Sequence, residues 1–272
     1  MMTGNGFLTA FAAVMNAVFV IGGVYIYLAL ARQIAGRANA DPVQPQPGLG
    51  IPEAVLAGGL AALFSLNAAA AGATSGNVIL SVRDLAANLM ISLGLLLLVV
   101  ALLRIRRIDA TSLAGFSKLG FWRTLVTGGI LLLAAYPLIF LADLLTQKLL
   151  GIPASRQSIV EMFNGSQTIE QRVLIIVLAV AIAPLVEEFI FRFFFYGVLK
   201  RYFGRSIGLV ANAVLFAAVH AHIPSAAPLF VLGSCFTIAY EWSGSILVPM
   251  TMHALFNSLT LVALAYPESF PQ

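Results

Sequence analysis

An all-α fold, a polytopic membrane protein with about eight transmembrane helices, is what this sequence predicts, on three observations. Of its 272 residues, 60% are hydrophobic and only 10% are charged, against about 25% charged residues in soluble domains. The mean hydropathy is +0.97. Apolar runs of roughly 20 residues, the length that crosses a bilayer as a helix, succeed one another along most of the chain.

The first run, 7–31, is too long for the core of a secretory signal, and residues 1–7 supply no Lys or Arg to start one, so it reads as a span. Pro42, Pro45 and Pro47 then mark an extended linker. It separates a peripheral N-terminal helix (1–40) from a multi-helix membrane domain (51–272). Within that domain the runs 51–73, 85–103 and 120–145 come first, the second closed by Arg104, Arg106 and Arg107. The longest polar excursion, 149–171, carries Pro153, Ser155, Gly165 and Ser166 and reads as a loop with a short surface helix. Four further spans, 172–199, 206–222, 226–240 and 245–266, make up the C-terminal core, 172–266.

Lys and Arg accumulate on the cytoplasmic side of membrane proteins. With the N-terminus outside, Arg32, Arg37, Arg104, Arg106, Arg107, Lys118, Arg123, Lys200, Arg201 and Arg205 all fall inside, ten of the fifteen basic residues. Both termini are therefore expected on the non-cytoplasmic side. The net charge of +4 follows these helix ends instead of forming one basic surface, which argues against a nucleic-acid partner and leaves the lipid bilayer as the surrounding medium. A single cysteine, Cys235, excludes an intrachain disulfide and every multi-cysteine zinc motif. No repeat of fixed period and no matched pair of broken helices suggests a transporter.

Ionisable groups are costly in lipid, so those found there usually line a cavity and work. Three groups stand out: Glu187-Glu188-x-x-x-Arg192, Phe216-x-x-x-His220 and His253-x-x-x-Asn257. Adjacent glutamates on a helix point about 100° apart and cannot share one task. Glu188 precedes Arg192 by four residues, the favourable order for a pair along one face, and its expected role is structural. Glu187 has no sequence-local counter-ion and is left for general-base chemistry. The bland alternative is a carboxyl satisfied by another helix.

His220 shares a face with Phe216, and alone it is as readily a hydrogen-bonded core residue as a functional one. His222 points roughly 200° away on a continuing helix, so it is expected outside any cavity His220 faces, capping the helix or meeting solvent. His253 and Asn257 stack on one face and bring an imidazole and an amide together, which suits polarising a carbonyl and stabilising the oxyanion that follows. Otherwise they are interhelical hydrogen bonds worth about 1 kcal/mol.

Together and in this order, the three motifs resemble the family of CaaX prenyl proteases and bacteriocin-processing enzymes, also called the abortive-infection family. The run Tyr240-Glu241, Gly244-Ser245-Ile246 and Pro249 leading into His253 is also similar to it. The resemblance covers residues 183–259. It implies a glutamate-dependent intramembrane endopeptidase acting on a peptide or prenylated protein, in which Glu187 and His220 activate a water. His253 and Asn257 would bind the oxyanion, with Glu188 and Arg192 in support. No cofactor is implied.

A zinc-dependent protease using Glu187, His220 and His253 is the nearer alternative, although no His-Glu-x-x-His helix is present. A non-catalytic membrane protein, binding, transporting or conferring immunity on the same fold, is the more distant one. A depth estimate fits only partly. Glu187 lies ~20 Å from Lys200 and His253 ~12 Å from Ser245, whereas His220 comes out ~24 Å from Gly204, too far toward the outside.

Overall fold

The computed structural model describes residues 4–40, 48–73, 82–151, 163, 165, 166 and 168–266. Most of the Pro-rich linker and of the 149–171 excursion lies outside these residues. Among the described residues all regular structure is helical. The chain is a multi-pass membrane protein. Among the described residues, six helical stretches are long and apolar enough to cross a membrane: Ala10–Arg37, Ile51–Ala70, Phe121–Leu149, Ile169–Val219, Ile223–Ser243 and Leu247–Ala265. The helix expected at 85–103 is present, but its apolar part, Leu89–Ile105, is shorter.

Helix α1 (Gly4–Ala40) exposes Val18, Phe19 and Ile21 along its first half, as a helix facing lipid does. Its second half docks onto helix α5 (Phe121–Leu150) and helix α9 (Ala226–Ser243). There Tyr27 is buried and donates to the Leu131 carbonyl at 2.8 Å, and Arg37 Nη1 donates to the Trp242 carbonyl at 2.8 Å. Helix α2 (Ile51–Ala73) begins with Glu53, whose fully buried carboxylate accepts from Gly50 N–H and pairs with Arg106 at 3.2 Å. Helix α3 (Val82–Ile105) leads into the short α4 (Ala110–Leu113), capped by the Asp109 carboxylate accepting from Thr111 N and Ser112 N. That connector docks on the core: Ile246 N–H donates to the Ala114 carbonyl at 2.9 Å.

The stretch Ile169–Val219 is not one straight rod. It runs through α6 (Ile169–Val177), a wide π-helical segment (Leu178–Ile182), α7 (Ala183–Glu188), a second π segment (Phe189–Phe195) and α8 (Tyr196–Val219). Within α8 the backbone of Gly204 leaves helical geometry at φ 79°, ψ 172°, a region open essentially to glycine alone. The chain doubles back there so tightly that a Cβ on Gly208 would lie 2.9 Å from Lys200 N.

This crossing, and not Gly204, is the reference for depth. Measured from it, His220 lies ~18 Å along its arm and Glu187 at most ~20 Å along the other, comparable distances. The discrepancy in the sequence estimate came from counting the turn as rise. The hairpin is held by Glu241 of α9, which pairs with Lys200 at 2.6 Å and Arg205 at 3.0 Å. Gly233 of α9 lets Phe216 approach within 3.0 Å of where a Cβ would sit, and Asn212 Nδ2 donates to Thr237 Oγ1 at 3.1 Å. Helix α10 (Leu247–Ala265) closes the bundle against α5 and α7.

Candidate active site

The two glutamates sit on α7, between the two wide π segments. Such segments interrupt the regular bonding of a helix and recur at functional sites. Glu188 is fully buried. Its Oε2 lies 3.0 Å from Arg192 Nε, the pair expected from the four-residue spacing, although the approach is off-line for a hydrogen bond. Arg192 is equally buried, and its guanidinium lies 4.2 Å from the Phe216 ring centroid and 5.1 Å from that of Phe236. Ring faces thus supply part of what water would give this cation.

The other oxygen, Glu188 Oε1, lies 2.8 Å from His253 Nδ1. This contact is absent from the sequence reading, since 65 residues separate the partners. An ionised carboxylate can only accept, so His253 Nδ1 carries a proton and Nε2 is the free corner of the ring. The imidazole is held further by Phe236, tilted at 5.3 Å, and Phe216, edge-on at 6.2 Å. Glu188 therefore serves both Arg192 and His253.

His220 is fixed by the same logic. Its Nδ1 lies 2.7 Å from the Phe216 carbonyl, which can only accept, so Nδ1–H donates and a neutral ring keeps its lone pair on Nε2. The four-residue spacing from Phe216 thus sets the tautomer, and the Phe216 ring packs edge-on against the imidazole at 4.8 Å. On α10, Asn257 Nδ2 donates to the Ala179 carbonyl, in the first π segment, at 2.7 Å.

A cavity of about 210 Å³ lies where these elements meet, lined by Glu187, His220, His253 and Asn257 together with Phe216 and Thr260. The half-buried Glu187 contributes an Oε2 that is shielded from solvent and has no hydrogen-bond partner. Glu188 and Arg192 stand behind this lining. His222 also lines the cavity, contrary to the expectation from its 200° offset. The helix ends at Val219, and Ala221 adopts φ 48°, so the chain turns before residue 222 and the helical angle no longer applies. His222 Nδ1 lies 2.8 Å from Ser225 Oγ. Among the described residues, no three His, Cys, Asp or Glu side chains lie close enough together to hold a metal ion.

A multi-pass membrane protein with carboxylate, imidazole and amide groups around one interior cavity is the class that fold and site define. Residues 169–259, which contain all three motifs, match the family model for Rce1-like type II CAAX prenyl endopeptidases. The chain is also similar to the membrane-embedded CAAX protease MroQ of Staphylococcus aureus (strain USA300), 30% identical over 95 residues. That likeness covers 32% of this chain and 38% of the relative, so well under half of either protein is compared. No solved structure matches the chain.

Proposed function

We propose that this protein is an intramembrane endopeptidase of the CaaX prenyl-protease type, with Glu187 and His220 activating water and His253 and Asn257 stabilising the oxyanion. The observation that carries the reading is the lining of one interior cavity by all four side chains, with Glu187 Oε2 unpartnered beside them. In the reaction, Glu187 accepts one proton from water as the water oxygen attacks the peptide carbonyl carbon, while the O–H that remains on that oxygen donates a hydrogen bond to His220 Nε2, which orients its lone pair at the carbon. The carbonyl oxygen becomes an oxyanion. Asn257 donates to it from the Nδ2 hydrogen that Ala179 does not use. His253 donates from Nε2, which requires a proton on each ring nitrogen, and the Glu188 carboxylate stabilises that imidazolium. Collapse breaks the C–N bond, and Glu187 returns its proton to the leaving amine. Low dielectric strengthens every step that involves developing charge.

The substrate on this reading is a peptide or prenylated protein presented at the membrane, with no cofactor. The Ile169–Val219 stretch crosses twice, turning at Gly204, and Val82–Ile105 crosses as well. Eight crossings put both termini on one side, and the positions of Lys and Arg make that side non-cytoplasmic. The test is mass-spectrometric detection of cleavage of a farnesylated CaaX peptide by detergent-purified protein, wild type beside Glu187→Ala, with and without a strong chelator. Cleavage after the cysteine that requires Glu187 and survives chelation is expected. Loss on chelation would replace the proposal with a zinc mechanism, and no cleavage of this or other membrane-associated peptides would replace it with a binding role.

A further inference from the structure

We infer that Pro184 is a positioning residue for Asn257: by withholding a backbone donor from the Ala179 carbonyl, it leaves that carbonyl to fix the amide in the cavity. The argument begins with the hydrogen-bond ladder of the first π segment. Ala183 N–H reaches back five residues to the Leu178 carbonyl. On the same wide turn, the donor due to Ala179 is residue 184, which is a proline and has no N–H. Every buried carbonyl needs a partner. Ala179 finds one 78 residues away in Asn257 Nδ2, at 2.7 Å.

Two properties of the site follow. A carbonyl can only accept, so the bond dictates which end of the Asn257 amide is nitrogen, and its second N–H is held at about 120° to the first. The stretch that carries Glu187 thereby also sets the amide on α10, coupling the base and the oxyanion donor through the backbone between Ala179 and Glu187. Restoring an N–H at 184 gives Ala179 a local donor that competes with Asn257 and frees the amide to turn.

The catalytic part rests on the oxyanion role proposed above; the coupling between positions 184 and 257 does not. The experiment is therefore a double-mutant cycle in the full-length protein, Pro184→Ala and Asn257→Ala singly and together, read by thermal unfolding and by peptide hydrolysis. Pro184→Ser restores the same N–H if the alanine variant is not recovered. In the melting arm, Asn257→Ala is expected to lower Tm clearly with proline at 184 and much less in the Pro184→Ala background, because the restored backbone N–H then satisfies the orphaned carbonyl. Equal drops in both backgrounds would overturn the inference whether or not any substrate is cleaved. In the activity arm, Pro184→Ala is expected to lower kcat about tenfold with KM unchanged, part of the 10²-fold or more that loss of an oxyanion donor costs. It should cause no further loss in the Asn257→Ala background. A loss that persists there would mean that Pro184 acts on helix shape and not through the amide.

Discussion

Two interior carboxylates, one in each half of the chain, show how differently the halves are built. Glu53, in the N-terminal helices, is completely enclosed and fully engaged: Gly50 N–H and Arg106 hold its two oxygens. Glu187, in the C-terminal core, is half-buried in a cavity wall and keeps one oxygen with no partner. Around Glu53 the helices mostly present apolar side chains outward. In the C-terminal core the buried polar groups include Glu188, Arg192, Asn212, Thr237 and His253. A fully satisfied acid stabilises a fold, and an unsatisfied one next to imidazole and amide groups is available for chemistry. The family match, confined to residues 169–259, falls on the second region.

The sharpest way to break this contrast is to remove each acid. Glu187→Ala is expected to lower hydrolysis by 10²–10⁴-fold, the range of a lost general base, without lowering Tm. Glu53→Ala is expected to lower stability by about 1–3 kcal/mol, the cost of buried partners left unsatisfied, with kcat of the folded protein unchanged. The two are compared by thermal melts and turnover on the same preparations. A Glu53 variant that folds normally and loses catalysis would erase the distinction between the regions.

Next in size is Glu188→Ala, where one carboxylate serves two partners. Removing it leaves the Arg192 guanidinium unpaired in a closed site, a loss of about 3–5 kcal/mol. The same change releases His253 Nδ1, so an expected drop of about 10²-fold in kcat accompanies the lower Tm. Glu188→Gln sharpens the test, because an amide of the same shape keeps a contact with His253 but brings no charge to favour the imidazolium. A Glu188→Ala variant that loses stability but keeps full kcat would confine Glu188 to the structural role its spacing from Arg192 first indicates. Asn257→Ala, measured beside it, is expected to depress kcat about 10²-fold with KM unchanged. A change in KM alone would assign the amide to binding.

Much of this was legible in the sequence, for physical reasons that also mark where legibility ends. Hydropathy exposes helices because every lipid-facing turn must be apolar. Spacings of four expose Glu188 with Arg192 and Phe216 with His220, because one helical face is a local property. His222 escaped because the end of α8 depends on the left-handed Ala221, and once the helix stops its angular rule stops too. The Glu188–His253 contact escaped because it is set by packing of helices 65 residues apart. The π segments escaped for a similar reason. A wide turn is tolerated only where something outside the helix satisfies the carbonyls it releases, and at Ala179 that partner is Asn257.

The smallest expected effect concerns the turn that joins the two arms of the core. At Gly204, φ 79° with ψ 172° is accessible to glycine and strained for alanine by about 1–3 kcal/mol. A Cβ there meets no atom within 4 Å, so strain is the whole of the cost. Gly204→Ala is therefore expected to lower Tm modestly while leaving kcat and KM of the folded protein near wild type, since the Glu241 pairs with Lys200 and Arg205 still clamp the hairpin. The assay is turnover normalised to folded protein across a temperature series. A fall in kcat at temperatures where the variant remains fully folded would show that the turn tunes the relative height of Glu187 and His220, and that the site depends on the hairpin more finely than its salt bridges suggest.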